Sequence, residues 1–304
     1  MTVMSDAALA AIARARAAFL CACRLDVTVR KPGNVSHESP GHGMQAAMFL
    51  ASAEIAAGAL FEPGARVGRR VEAAVAATWD AVGCNTNLGI LLLCAPIAAA
   101  VERAPQPDNP AALRQAIEAV LADLDLEDTR GAYRAIAQAR PAGLGEVPDE
   151  DVHQPPSLDL RSAMALAASR DSIARQYTNG FADVFQLALP LWPRGFPLMA
   201  IEDCSQPDAA TKARVQRVYL GLLSRLPDSH IVRKHGDGVA HTVMRAAQGW
   251  RVQSDAGLGL DAMPAFAAWD ASLKAAGINP GTSADLTVAT LMIAGILATS
   301  PSRR

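Results

Sequence analysis

Apolar residues recur at helical spacing along almost the whole chain, and no alternating apolar–polar pattern runs longer than a few residues. This constrains the fold before any motif is read, because a half-buried strand needs a period of two. Leu9, Ile12, Phe19, Leu20 and Cys23 mark a first amphipathic helix, which must stop near Val29 because Pro32 and Gly33 follow. Further helices are predicted over 45–60, 68–82, 87–101, 111–122 and 129–138, with Val71, Val75, Trp79 and Val82 on one stripe. Later segments near 160–189, 208–225, 237–248, 261–276 and 283–298 share the period. Hydrophobic residues make up 51% of the chain but aromatics only 5%, the balance being alanine and leucine, both strong helix formers.

A chain of 304 residues can close one large core or two small ones. Ala142 to Leu158 carries Gly143, Gly145, Pro148, Pro155 and Pro156 beside Asp149, Glu150 and Asp151, and reads as a long polar loop, a lid or a surface excursion. Either side of it would have few helices to close a core alone. The expectation is therefore an all-α fold, a single compact domain over 1–304 with motif-bearing loops around one cleft. No fixed-period repeat supports a solenoid.

The formal net charge of −2 gives no electrostatic case for nucleic acid or an acidic membrane surface. The longest apolar run, Leu88 to Val101, contains Pro96 and is short for a membrane span, so it suits a buried helix. Met1 to Asp6 lacks the basic and apolar regions of a secretory signal, and a cytoplasmic protein is expected. Cys21, Cys23, Cys84, Cys94 and Cys204 form no CxxC pair, which predicts reduced structural thiols. A homodimer is left open.

The chemistry should sit where helices stop. Five Gly- or Pro-punctuated polar stretches interrupt the alanine-rich background. They are Lys31-Pro-Gly-Asn34 running on through Ser39 and His42 to Met44, then Gly83-Cys-Asn85-Thr86-Asn87-Leu-Gly89. Ser169-Arg170-Asp171-Ser172 with Asn179-Gly-Phe181 comes next, followed by Asp228-Ser-His230-Ile-Val-Arg233-Lys234-His235-Gly236. The last is Asn279-Pro-Gly-Thr282-Ser283-Ala-Asp285. Each joins anion- or hydroxyl-binding side chains to a glycine that lets backbone come close. Gly281-Thr-Ser opens the last helix with N–H groups expected to face a phosphate.

Plainer alternatives stand beside each reading. Thr282 or Ser283 could be an N-cap, and Asp285 a first-turn carboxylate favoured by the helix dipole. Asn85 and Asn87 could be turn residues. Arg170–Asp171 and Arg233–Lys234 could be solvated surface charges. His37, His42, His153, His230, His235 and His241 never take an HExxH-type spacing, which disfavours a histidine metal site. No P-loop or dinucleotide fingerprint occurs.

As an ordered set, however, Lys-Pro-Gly-Asn, Gly-x-Asn-Thr-Asn-x-Gly, Arg-Asp-Ser, Asp-Ser-His-x-x-Arg-Lys-x-Gly and Asn-Pro-Gly-Thr-Ser-Ala-Asp-Leu resemble the triphosphoribosyl-dephospho-CoA synthase family. The likeness runs from about Lys31 to Leu297. It implies an all-α enzyme in which a hydroxyl of dephospho-CoA attacks C1 of the ATP ribose, adenine leaves and the triphosphate survives. Many members read His-x-Asp-Met and Asn-Thr-His, whereas this chain has His42-Gly-Met44 and Asn87. The Lys31-Pro-Gly-Asn-Val-Ser36 and Ser39-Pro-Gly-His-Gly-Met44 wording is similar to a bacterial branch linked to pterin-dependent one-carbon metabolism. Ribosyl or phosphoribosyl transfer onto a pterin-type precursor, or nucleotide binding without turnover, are the alternatives.

Three roles follow from an oxocarbenium-like transfer. Asp171 or Asp228 would take the hydroxyl proton, and His230 or His235 would protonate adenine. Lys31, Arg233 and Lys234, with Mg²⁺, would neutralise the triphosphate. Asn34, Ser39, His42, Asn85, Thr86, Asn87, Arg170, Thr282, Ser283 and Asp285 would bind and orient the substrates.

Overall fold

The computed structural model describes residues 5–84, 86–141, 150–193, 196, 198 and 203–298. Among them the regular structure is helical and no strand occurs. The order is α1 (Asp6–Thr28), α2 (Ala46–Leu60), α3 (Val67–Val82), α4 (Leu88–Arg103), α5 (Pro110–Ala122) and α6 (Leu126–Ala139). Then come α7 (Leu160–Ala167), α8 (Ser172–Asn179), α9 (Ala209–Leu223), α10 (Ser229–His235), α11 (Asp237–Asp255), α12 (Pro264–Ala275) and α13 (Gly281–Ala298).

Two strongly apolar helices, α4 and α13, lie at the centre. α13 packs on α1, α4 and α9, and α4 also packs on α1, α3 and α5. α13 is long and apolar enough to cross a membrane by length and composition, but 78% of that window is buried inside the protein, so the core accounts for its hydropathy. Pro96 lies within α4, where it cannot donate to the carbonyl four residues back. That carbonyl, Leu92 O, accepts instead from the buried Tyr177 hydroxyl at 2.7 Å. The proline thus ties α8 to α4, and with it the Asp171 end of α8.

A second, smaller apolar cluster joins Tyr219, Leu220, Ile231, Val243, Phe266 and Leu273 from α9 to α12. It also anchors the Lys31–Asn34 turn. The Tyr219 hydroxyl donates to Pro32 O at 2.7 Å, and Gly33 N donates to Asp270 Oδ1 at 2.8 Å. Gly33 has φ +83°, and a Cβ there would meet Pro280 at 2.7 Å, so conformation and space both require glycine.

Three expectations are corrected. The segment 160–189 is not one helix: Asp171 caps a new start, Gly180 ends α8 in the left-handed region, and a π-helical turn follows at Asp183–Ala188. The Asp228–Gly236 stretch is not a loop, since Asp228 caps the seven-residue α10. Nor are all five cysteines thiols. Cys21 on α1 and Cys204 before α9 form a disulfide with Cα atoms 5.7 Å apart, across a sequence separation of 183 that spacing could not reveal.

Candidate active site

A cavity of about 470 Å³ opens between the ends of α4, α7, α8, α10 and α13. Its charged end gathers Asp26, Asn34, Asp171, His230, Arg233 and Asp285, while α6 and α7 supply apolar walls.

Asp171 is set by helix capping. Its Oδ1 accepts from Ile173 N at 2.8 Å and Ala174 N at 3.1 Å, and its Oδ2 pairs with the Arg233 guanidinium. Arg233 Nε is buried without a hydrogen-bond partner among the described residues, leaving a donor for a ligand. Arg170 stands exposed at the rim.

Asp285 differs from the other carboxylates lining the cavity. Asp26 pairs with Lys31, Glu150 accepts from Tyr133 and Ser157, Asp151 accepts from His153, and Asp171 holds Arg233. Asp285 alone has neither hydrogen bond nor ion pair among the described residues. It rests on Gly89, where a Cβ would come within 2.1 Å of Asp285 Oδ2. The glycine of the second motif is therefore a seat for the aspartate of the last. Burial, then the neighbouring Asp26 and Asp228 carboxylates, push the Asp285 carboxyl well above its ordinary range, with Arg233 opposing. His230 moves the other way. Burial, then the Arg233 and Lys234 charges, lower its pKa to about 4, so the imidazole is neutral at pH 7. An unperturbed value, expected from sequence, does not apply.

Other expected site residues are placed behind the wall. Asp228 does not line the cavity. It is buried, with Oδ1 accepting from His230 N at 3.0 Å and Ile231 N at 3.2 Å, and Oδ2 from Ser283 N and Oγ at 2.7 and 2.8 Å. One carboxylate thus caps the starts of both α10 and α13. The backbone donor expected to face a phosphate at Ser283 is consequently taken, and Thr282 Oγ1 accepts from His230 N at 3.2 Å. Burial raises the Asp228 pKa, while the Ser283 and Ile231 hydrogen bonds and Arg233 act against it.

Lys31 is fully buried, with Nζ 3.0 Å from Asp26 Oδ1, so it supports a lining carboxylate instead of meeting phosphate. Lys234 is exposed and donates to Gly277 O at 3.4 Å, and His235 Nε2 donates to the same carbonyl at 3.0 Å. Ser39 accepts from Lys274 at 2.6 Å, and His42 Nε2 donates to Gly33 O at 2.8 Å, so both brace the first motif. Asn34 donates to Asn279 Oδ1 at 3.0 Å in the cavity wall. Thr86 bonds Ser52 at 2.6 Å, and Asn87 Nδ2 is buried without a hydrogen-bond partner among the described residues; both line the cavity. Asn85 lies outside the described residues.

The ordered motifs meet around this cavity, and residues 12–304 match the family profile described as CitG: ATP:dephospho-CoA triphosphoribosyl transferase. The chain belongs to this family. It is a transferase of cofactor biosynthesis whose family uses ATP as substrate. A solved structure from Archaeoglobus fulgidus, provisionally assigned as a triphosphoribosyl-dephospho-CoA synthase, shares the fold with a TM-score of 0.58 at 22% identity. The match covers 82% of this transferase and 98% of that chain. No curated protein gives a significant match.

Asp26 was missed from sequence, although it is the only acidic residue of the first helix beyond its first turn. Asn279 and Glu150 belonged to recognised stretches without being singled out.

Proposed function

We propose that the charged end of the cavity transfers the triphosphoribosyl group of ATP to a hydroxyl of dephospho-CoA and releases adenine. The unpartnered, raised-pKa Asp285 carries this reading, because a base working near neutral pH needs a pKa near that pH. The acceptor oxygen bonds to ribose C1 as the C1–adenine bond breaks, and that electron pair leaves on adenine. Asp285 takes the hydroxyl proton. Arg233, oriented by Asp171, holds the triphosphate.

His230 supplies the proton to adenine. Its pKa is low partly because Arg233 and Lys234 are close, and a bound triphosphate offsets both charges and draws a proton onto the ring. The base role passes from Asp171 to Asp285 because both Asp171 oxygens are engaged.

Mg²⁺ is taken to arrive on the phosphates. Among the described residues no group of three His, Cys, Asp or Glu forms a metal cage, and no step is assigned to the ion. One domain over the chain is supported by α9 and α13, which contribute to both apolar clusters. The bacterial-branch reading rests on the Lys31–Ser36 and Ser39–Met44 wording, from which Asn34 and Met44 line the cavity. It makes a pterin-type precursor the second acceptor to assay.

The test is adenine release from ATP, followed chromatographically. Release that requires dephospho-CoA supports the proposal; release that requires the pterin-type precursor moves the acceptor. Formation of ADP or AMP without adenine refutes it.

A further inference from the structure

The apolar half of the cavity has no role in the chemistry above. α7 runs along it, presenting Leu160, Ala163, Met164 and Ala167, the spacing of one helix face. At a rise of 1.5 Å per residue this stripe is about 10 Å long. Leu166, also lining the cavity, is 48% exposed, an unusual state for a large apolar side chain beside a concave site. Ile136 and Tyr133 of α6 and Val152 contribute further wall.

The two ends of the stripe carry opposite charge. Beyond its C-terminal end, at the rim, Arg170 offers an exposed guanidinium. At the Leu160 end, Glu150 and Asp151 line the cavity. Glu150 is fixed there by Tyr133 Oη at 2.9 Å and Ser157 N at 3.0 Å, and the Ser157 hydrogen bond holds its carboxyl below the usual range. A carboxylate pair repels phosphate and accepts from amide N–H or hydroxyl groups.

We propose that α7 is the acceptor-binding face: it takes the uncharged, amide-bearing arm of dephospho-CoA, with the acceptor diphosphate on Arg170 and the arm directed toward Glu150. This rests on the transferase reading above and adds which part of which substrate occupies the apolar half. The polarity fixes the orientation, since the diphosphate is excluded from the acidic end. The acceptor nucleoside is left on the Asp285 side of Arg170.

Equilibrium binding to the full chain tests the assignment without turnover. Titration calorimetry with dephospho-CoA, phosphopantetheine and ATP is compared between the wild type, Met164→Asp and Leu166→Asp. Leu166 is exposed, so the second variant keeps its fold even if the first does not. Either variant should weaken dephospho-CoA and phosphopantetheine by about tenfold or more, the scale of one desolvated apolar side chain, while ATP stays within about twofold. Equal losses for ATP and dephospho-CoA, unchanged dephospho-CoA affinity in folded variants, or no wild-type binding of either arm-bearing compound would overturn it. Adenine release is read separately, so binding as expected without adenine release sinks the reaction and leaves this site standing.

Discussion

Asp171 and Asp228 occupy the same local setting: each caps a short helix and precedes a serine. Their second oxygens separate them. At Asp171 this oxygen holds Arg233 at the cavity wall, whereas at Asp228 it holds Ser283 N and Oγ inside the protein. In the proposed reaction one wall does chemistry, and the junction behind it fixes where α10 and α13 begin. Residue type and motif do not decide between ligand and scaffold; the destination of each lone pair does.

The largest effect that sharpens this contrast should come from Asp285→Asn. It keeps shape but cannot take a proton, so turnover should fall about 10²–10⁴-fold with ATP affinity nearly intact. In the parent enzyme, the raised Asp285 pKa should place the acid limb of kcat/KM above the usual carboxylate range. Turnover within about twofold of wild type would remove Asp285 from the mechanism.

Next comes Asp228→Ala, which strands Ile231 N, Ser283 N and Ser283 Oγ at two buried helix starts, while His230 N keeps Thr282 Oγ1. A loss of about 3 kcal/mol or more in urea unfolding is expected, since each unsatisfied buried group costs about 1–3 kcal/mol. A loss below about 1 kcal/mol would break the contrast.

Adjacent cations give a third comparison. Arg233→Ala should weaken ATP binding about tenfold or more, and Lys234→Ala by no more than about threefold. The difference arises because Arg233 lines the cavity and Lys234 lies outside it, on the Gly277 carbonyl. Equal losses would return Lys234 to the triphosphate site.

The smallest effect is spectroscopic. The His230 ring should titrate near pH 4 in the free protein and at higher pH with ATP bound. Because its folded pKa lies below the unfolded value, its stability contribution is full above about pH 6.5 and is lost as pH falls through about 4. Nuclear magnetic resonance titration of the ring checks both points, and a value near 6.5 without ATP would contradict the assignment.

Helical period and alanine-rich composition made the all-α fold legible, and motif order made the family legible. The cavity was only partly so. Asn34, Thr86, Asn87, Arg170, Asp171, His230, Arg233 and Asp285 line it, whereas Lys31, Ser39, His42, Asp228, Lys234, His235, Thr282 and Ser283 do not. The second set could not be separated from sequence because capping uses the same Asp, Ser and Thr that bind substrates. Lys31 was misplaced because its partner, Asp26, lies inside the first helix and outside the motif stretches. The Cys21–Cys204 bond joins segments that only the tertiary fold brings together.

The division between reactive wall and scaffold is tested most directly by a crystal structure with a non-reactive ATP analogue. The triphosphate should lie against Arg233, with ribose C1 facing Asp285. Phosphate oxygens on Lys31 or on the Ser283 backbone, with Asp285 left uncontacted, would contradict it.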